Sequence, residues 1–527
     1  RGNFRVRSVR GDGLNPSPEE IAYQKRWMEQ LKLTPEELTR RRCAGVAKGV
    51  VVASAQREQE ALDANFNDFS AGAFTYLMTQ YLWQQTDSVG SAIAQVTQSI
   101  KPISSQVPLA DGNSSQPVYF INQNVPPTDA VITQVKGDRA TLWLGGLDKE
   151  SLDAFQSGAT FTIVNDKGQA SGQLKLESRR GLIGEAKLVE KTAIAFLKPG
   201  MFLQESSRVV PAGLKLNIGL DPSLAGETNA AKQALSALNR IEAIPAQLGN
   251  TPYPGGVQYI LSRMTTDAQQ ILQEKQATNI PDINSIGLFT EGLELVPKSF
   301  GEPGETVTAA VSRLEPKIKS ILAARIIKKT LNANSSEVDV EVSMNLVEQP
   351  NQILARASTR KGRNNRLESE RAYPNKLPLN KLFQFQVINR ESNVLHFTTL
   401  LIDSSGGLVV VFPHQWPASE ESMQLKPNQT QLIGDPQKLK LKAIEKGTGE
   451  ALIIVSRSPL KKAVKTLEAL AAELNRSQGP VELKEPVEVM GDLLDDLSRD
   501  RMGGLVAESR PINASEIVTL SITFEVG

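Results

Sequence analysis

The chain has 527 residues, which is too many for one ordinary hydrophobic core and indicates about three or four domains. Its 59 Lys and Arg residues and 58 Asp and Glu residues leave a formal net charge of +1, so a dedicated nucleic-acid surface is not expected. One cysteine excludes an internal disulfide and, with two histidines, a structural Cys/His zinc site. No apolar run approaches the roughly 18 to 20 residues that a membrane span requires.

The start of the chain indicates a basic loop followed by two short helices. Residues 1–16 are basic and rich in turn-forming residues. Ser17 and Thr34 each precede a proline and an acidic first turn, a pattern typical of helix N-caps. The second helix is predicted to end in three arginines at 40–42, next to Cys43.

Residues 49–83 predict a strand, an acidic loop and a helix in that order. Residues 50–53 (VVVA) are a short β-branched run typical of an interior strand. Apolar residues at helical spacing follow from residue 72 to residue 83. In an open α/β sheet, ligands bind beyond the carboxyl ends of the strands, so we expect residues 55–63 to lie at the functional edge of a layered domain.

The middle of the chain predicts a β-rich region and then a mixed region. Residues 117–218 alternate short apolar runs with turns and favour a small β-barrel or sandwich. Residues 219–375 favour an α+β domain with helices over 230–243, 257–275 and 307–332, and a polar, basic, mobile loop over 356–371.

The last region, residues 376–527, predicts a β-rich accessory domain with a helix and a strand at its C-terminal end. Strands are expected over 382–389, 394–402, 408–412 and 450–456, with a turn at 403–407. Residues 516–526 alternate apolar and polar side chains, so they indicate a strand that pairs with an earlier sheet.

Three motifs carry a resemblance to a known family. GVVVAS at 49–54, a charged residue before Gln59 and FSAGAFTYLMTQYLW at 69–83 are similar to the small-subunit half of prokaryotic caspase-like cysteine peptidases, the cyanobacterial-type orthocaspases related to metacaspases. The resemblance covers residues 1–85 and implies that the chain begins downstream of the catalytic cysteine. Residues 382–475 resemble an uncharacterised β-rich domain that follows bacterial enzymatic and sensor domains, which implies an accessory role.

The fold-class prediction is therefore an α/β and α+β multidomain chain. Its parts are a partial caspase-like α/β layer with an N-terminal loop and two helices over 1–105, and then the three regions at 117–218, 219–375 and 376–527.

The catalytic pair of the resembled family is not expected on this chain. A caspase-like reaction needs a thiolate nucleophile and a histidine that activates it. The family holds them in Asp-x-Cys and His-Gly motifs, and neither motif occurs here. His396 and His414 lie far along the sequence from Cys43 and are interpreted as strand and turn residues, while Cys43 is interpreted as a small, partly buried side chain. The chain alone is predicted to be inactive.

Substrate recognition is the role that the resemblance leaves to this chain. The family cleaves after Arg or Lys, so an acidic residue near the strand ends would pair with that side chain. Glu58 is the first candidate, Asp63 is the second, and Gln59 is a positioning group. Solvated loop carboxylates are the alternative interpretation. Arg57 stands where metacaspases usually carry an acid, which is a departure from the family pattern.

The resemblance also implies maturation by cleavage and specific partners. Arg7, Arg10 and Arg42 are candidate processing sites, although a basic helix C-terminus equally explains Arg42. No metal or cofactor is predicted here, while related metacaspases imply calcium for the complete protein. The expected partners are a peptide or protein substrate, a large-subunit half with the catalytic residues, and an unknown partner of the accessory domains. A bacterial compartment, cytoplasm or periplasm, stays open. The alternative function is a non-enzymatic binding or scaffold protein that carries a caspase-derived remnant.

Overall fold

The structure is a computed structural model, and it describes most of the chain. The described residues are 5–7, 17–43, 50–56, 59–66, 69–83, 89–100, 104, 106–112, 128–165, 167–190, 197–247, 253, 256–274, 277–360, 376–474, 477–498 and 509–527. They form a mixed α/β multidomain protein, as predicted, with nine α-helices and several separate sheets among the described residues.

Two N-terminal helices begin at the predicted caps. They are α1 (Pro18–Gln30) and α2 (Pro35–Cys43). The Ser17 hydroxyl accepts a hydrogen bond from the Glu20 amide at 3.2 Å, and the Glu20 carboxylate accepts one from the Ser17 amide at 2.7 Å. These reciprocal bonds satisfy amides that the first turn of a helix leaves without partners.

An N-terminal unit follows, in which a small antiparallel sheet packs on a helical hairpin. Its elements are β1 (Arg5–Arg7), β2 (Val51–Ala53), β3 (Ala61–Phe66), β4 (Phe69–Gly72), α3 (Ala73–Trp83), α4 (Val89–Ile100) and β5 (Leu109–Asp111). Strand β3 lies between β1 and β4. Leu62 and Phe66 of β3 pack on Tyr76, Leu77 and Val96 of the two helices, which gives the unit its own core.

Two predictions for this unit are wrong: residues 50–53 do not form an interior strand, and part of the predicted acidic loop is a strand. Strand β2 pairs antiparallel with β5 in a two-stranded sheet, and Val51 is 52% exposed, because a three-residue strand in so small a sheet cannot be covered on both faces. Within the predicted loop, residues 61–63 belong to strand β3. The described strands of this unit pair antiparallel, and the caspase-like α/β layer expected here is not confirmed.

The next unit is a closed six-stranded barrel, which confirms the expected small β-barrel. Its strands are β6 (Ala130–Lys136), β7 (Arg139–Trp143), β8 (Thr160–Val164), β9 (Ala170–Arg180), β10 (Ile183–Leu188) and β11 (Phe202–Pro211). Strand β11 pairs with both β6 and β8 and so closes the ring. Alternating residues of these strands, such as Leu174 and Leu176, fill the interior. Residues 117–127, at the start of the predicted β-rich region, lie outside the described residues.

An α/β layer follows the barrel. Its elements are β12 (Leu216–Leu220), α5 (Thr228–Ser236), β13 (Ile241–Pro245), β14 (Tyr259–Arg263), α6 (Thr266–Glu274), β15 (Ile286–Thr290) and α7 (Val307–Lys328). Strand β12 is parallel to both β13 and β14. The predicted long helix is confirmed as α7. The helices predicted over 230–243 and 257–275 are too long, since each stretch also contains a strand, β13 or β14.

The C-terminal unit is a two-sheet sandwich. Its elements are β16 (Val340–Leu346), β17 (Gln349–Ser358), β18 (Lys376–Leu377), β19 (Leu382–Asn389), β20 (Leu395–Ile402), β21 (Leu408–Phe412), β22 (Gln424–Leu425), β23 (Thr430–Ile433), β24 (Leu441–Lys442), β25 (Gly447–Ser456), α8 (Lys461–Glu473), β26 (Val481–Glu482), α9 (Pro486–Leu497), β27 (Ser509–Asn513) and β28 (Ile517–Val526). Strands β16 and β17 share one core with strands beyond residue 376.

Strand β25 contributes side chains to both the core of the sandwich and the core of the α/β layer. Ile453 and Val455 face the core between the two sheets, whereas Leu452 and Ile454 face the core that includes α7, α8 and α9. A strand that is covered on both faces needs a continuous apolar run, which its sequence supplies. As predicted, β28 pairs with an earlier strand, β25.

Part of the predicted mobile loop at 356–371 is ordered. Arg356 lies in β17, and its Nε donates to the buried Glu341 carboxylate at 2.6 Å. Arg360 donates to Asp129 at 2.9 Å. These basic residues face buried acids, so their charges serve internal ion pairs. Residues 361–371 lie outside the described residues.

Candidate recognition cleft

A cleft of about 590 Å³ lies between the N-terminal unit and the barrel. We call it the recognition cleft and define it by six of its lining residues: Asp63, Gly72, Phe74, Thr75, Trp143 and Leu182. Strand β3, strand β4 and the start of α3 form one side, and the barrel contributes Trp143 and Leu182 to the other. Among the described residues, the lining of the cleft therefore combines one carboxylate with aromatic and aliphatic side chains.

The alternation of strand β3 separates Asp63 from the core of the N-terminal unit. Leu62 and Ala64 are buried, whereas Asp63 between them is partly exposed. Its cross-strand partner is Gly72. A β-carbon at Gly72 would stand 3.5 Å from Asp63 Oδ1, so the absence of a side chain there leaves this flank of the carboxylate uncovered by β4.

Two glutamines hold the backbone around the cleft. The Gln106 Oε1 accepts from the Leu62 amide at 2.9 Å, and its Nε2 donates to the Ser54 carbonyl at 2.6 Å. The Gln59 Oε1 accepts from the Val107 amide at 2.9 Å. Residues 54, 59 and 62 are thus each hydrogen-bonded to residues 106–107. Gln59 acts on backbone geometry, which is compatible with the positioning role predicted for it.

The other sequence-predicted residues fall in different places. Glu58, the first candidate for substrate binding, and Arg10 lie outside the described residues. Arg7 lies in β1, where its backbone pairs with Ala61. Arg42 lies in the last turn of α2. Cleavage after Arg7 would require β1, an edge strand, to leave the sheet first.

Neither histidine lines the recognition cleft. His396 lies in β20 and His414 follows β21, and both side chains are 8% exposed. Burial lowers the pKa of His396, and burial together with Lys438 lowers the pKa of His414. Cys43 ends α2, at the other end of the chain.

The described residues contain no group of three or more His, Cys, Asp or Glu side chains arranged to hold a metal ion. The calcium dependence implied by the resemblance stays a prediction. Among the described helices, none combines the length and the hydrophobicity that a membrane crossing requires.

A second cavity of about 880 Å³ lies where the barrel, α7 and the C-terminal sandwich meet. Its walls carry buried ion pairs. Arg208 binds Glu205 through two bonds of 2.6 and 2.7 Å and donates to the Lys329 and Leu331 carbonyls at 2.8 Å. Lys329 also lies 2.8 Å from Asp153.

The pKa values of the acids around this second cavity shift in different directions. Burial raises the pKa of Asp129 above its usual range, although Arg360 opposes the shift. Burial and the neighbouring Glu150 raise the pKa of Asp148. Lys149 holds the pKa of Glu150 well below its usual range. The ion pairs of Asp153 with Lys329 and of Asp129 with Arg360 join the barrel to the C-terminal part of the chain.

Sequence reasoning missed two residues of the recognition cleft region, Trp143 and Gln106. Trp143 was expected only as part of a barrel strand, and nothing in its local pattern indicates the segment it faces. No protein-family model, no curated protein and no solved structure matches this chain.

Proposed function

We propose that this chain supplies the substrate-recognition part of a caspase-like cysteine endopeptidase that cleaves after Arg or Lys. The observation that carries the proposal is the placement of Asp63 beside Gly72 in a cleft with apolar walls. The resemblance of residues 1–85 to the small-subunit half of such peptidases supplies the reaction class.

The cleft has the chemistry that a long basic side chain needs. Lys and Arg bury an aliphatic stem along apolar surface and keep the charged head with a polar partner. Phe74, Trp143 and Leu182 can cover the stem, and the Asp63 carboxylate can accept charge-assisted hydrogen bonds from the head. An arginine guanidinium can make two such bonds, which favours Arg where the geometry is bidentate.

The role of this chain is to bind and orient the substrate. A cysteine peptidase also needs a thiolate, a histidine that carries its proton and donors for the oxyanion. Neither His396 nor His414 is among the described residues that line the cleft. The proposal therefore assigns nucleophile and base to another polypeptide segment.

The first test measures binding to this chain alone. We expect a blocked tetrapeptide that ends in Arg to bind, and we expect Asp63→Asn to weaken binding about ten- to hundredfold, the usual cost of losing a hydrogen bond to a charged group. The matched control is Glu60→Gln, which removes a nearby negative charge from an exposed residue that does not line the cleft. Isothermal titration calorimetry gives both dissociation constants.

The second test measures turnover of an Arg-containing fluorogenic peptide. The complete gene product is expected to cleave it, Asp63→Asn is expected to lower kcat/KM by a similar factor, and the chain with the present sequence is expected to show no turnover. Cleavage by this chain alone would refute the proposal. A complete gene product that binds its ligands without cleaving the peptide would instead support a binding or scaffold protein.

A further inference from the structure

We infer that the β-barrel is part of the recognition site and that Trp143 is a specificity-determining residue in it. The inference rests on the proposed function and deepens it, because it names the barrel wall that contacts the substrate. Trp143 ends strand β7, and its side chain is partly exposed and lines the recognition cleft together with Leu182.

The position of the Trp143 indole is fixed from two directions. A β-carbon at Gly145 would overlap the ring, so only glycine lets the indole lie against the backbone there. On the N-terminal side, the ring centroid of Trp83 lies 5.0 Å from that of Trp143, with an interplanar angle of 57°. A ring that is held in this way is a preformed wall and loses little freedom when a ligand arrives.

Apolar packing between the N-terminal unit and the barrel holds Trp143 at the cleft. Phe69 and Leu182 each pack against the core of the N-terminal unit and the core of the barrel. The Phe69 side chain also lies close to Gly181 in the turn between β9 and β10. The barrel therefore meets the N-terminal unit through the end of β7 and the turn between β9 and β10, whereas β27 pairs with β11.

Trp143 and Asp63 act on different parts of a basic side chain. An indole wall covers the aliphatic stem and favours any side chain of that length, charged or not. The carboxylate favours only the charged head. Lysine and norleucine share the four-carbon stem and differ in the terminal ammonium group, so peptides that end in one or the other separate the two contributions.

The experiment measures binding of blocked tetrapeptides ending in Lys or norleucine to the full chain and its variants. We expect Trp143→Ala to weaken both peptides about five- to tenfold, an effect of burying one or two methylene groups fewer, and to leave their ratio unchanged. We expect Asp63→Asn to weaken only the Lys peptide and to reduce the ratio.

Two further variants separate recognition from a structural role. Trp83→Leu removes the ring contact but keeps an apolar side chain beside Trp143, and Trp83 itself does not line the cleft, so we expect both affinities to fall by no more than about twofold, less than in Trp143→Ala. Trp143→Phe keeps an aromatic wall and is expected to restore most of the binding that Trp143→Ala loses.

The possible failures are distinguishable. If Trp143→Ala leaves both affinities unchanged while Asp63→Asn reduces the Lys/norleucine ratio, the inference on the barrel is overturned and the proposed function stands. If Asp63→Asn leaves the ratio unchanged, the proposed function is overturned. If Trp83→Leu weakens binding as much as Trp143→Ala does, Trp143 acts through domain packing and the inference is also overturned.

Discussion

The barrel contacts its neighbours in two different ways. Toward the C-terminal part of the chain, strand β27 pairs with β11, and Arg208, which forms a buried bidentate ion pair with Glu205 of its own strand, donates to the Lys329 and Leu331 carbonyls at 2.8 Å. Toward the N-terminal unit, the contact consists of rings and aliphatic groups, chiefly Trp83 against Trp143. The first flank is directional and polar, and the second is mostly non-directional and apolar.

We interpret the polar flank as the scaffold that fixes the domain orientation, and the apolar flank as the location of the proposed binding site. Buried charges must keep every partner in place, because a buried charge without its partner is costly. Such a flank holds one domain orientation. Apolar packing has no fixed donor and acceptor geometry to preserve, and the proposed recognition cleft lies on that flank. The contrast can be tested by breaking each flank separately.

The largest effect is expected from Arg208→Ala. The variant leaves the Glu205 carboxylate buried and removes the bonds to the Lys329 and Leu331 carbonyls. Removing one partner of a buried ion pair costs about 3–5 kcal/mol. We expect a loss of this size in the free energy of unfolding of the barrel and C-terminal part, measured by urea titration with circular dichroism.

Arg139→Ala is the control for that experiment. Arg139 pairs with Glu177 on the same barrel, but the two side chains are 62% and 37% exposed. An exposed pair contributes about 0–1 kcal/mol, so this variant should stay close to the original protein. Equal losses in the two variants would contradict the assignment of the polar flank as the scaffold.

A smaller effect is expected from Trp83→Ala on the apolar flank. Losing the contact with Trp143 and part of the buried ring area should cost about 1–2 kcal/mol. Since the flank holds only the N-terminal unit, hydrogen exchange should accelerate over 61–83 and stay unchanged in β25 and β28. Tyr23→Ala is the control, because Tyr23 and Trp27 form a similar ring contact on an exposed helix. Faster exchange throughout the sandwich would show that the two flanks unfold together.

The local sequence pattern predicted a helix or strand correctly where the residues of that element alone determine its structure. The long apolar runs of β20, β21, β25 and β28 and the caps of α1 and α2 appear where the sequence predicts them. Strand β14 was merged into a predicted helix, because a short apolar run in a buried parallel strand has no period that separates it from a helix. Helix α6 begins only three residues after β14 ends, which hides the boundary.

The recognition cleft was only partly predictable for a different reason. Asp63 was a candidate from the sequence, although it lies in a strand and not in a loop. Trp143 comes from another unit, and the partners of the polar flank are up to 231 positions apart, as in the pair of Arg360 with Asp129. Contacts between units depend on how complete surfaces fit together, and no residue pattern within one unit encodes that fit.

The smallest effect is expected from Asp148→Asn, which tests whether a negative charge next to the apolar flank lowers the free energy of unfolding. Asp148 precedes Lys149 and Glu150 in a barrel loop that faces Tyr76 and Tyr81, with Arg208 nearby. It accepts a hydrogen bond from the Glu150 amide at 2.8 Å, and an asparagine oxygen can keep that bond. The substitution therefore removes charge and little else.

The sign of this effect follows from the raised pKa of Asp148 in the folded state. The folded protein holds this proton more tightly than the unfolded chain does, so the original protein loses stability as the pH rises from about 3.9, the unfolded pKa of Asp, through the higher folded pKa. The variant lacks this loss. We expect it to be more stable by about 0.5–2 kcal/mol at pH 7, a typical size for one stabilising substitution, and to converge with the original protein near pH 4. Asp138→Asn is the control: Asp138 pairs at 3.5 Å with Lys187, whose side chain is 46% exposed, and the substitution should change stability by no more than about 0.5 kcal/mol at pH 7. A variant that is less stable than the original protein at pH 7 would show that the Asp148 charge stabilises this flank. Charged groups would then stabilise both flanks, and the two flanks would differ only in geometry.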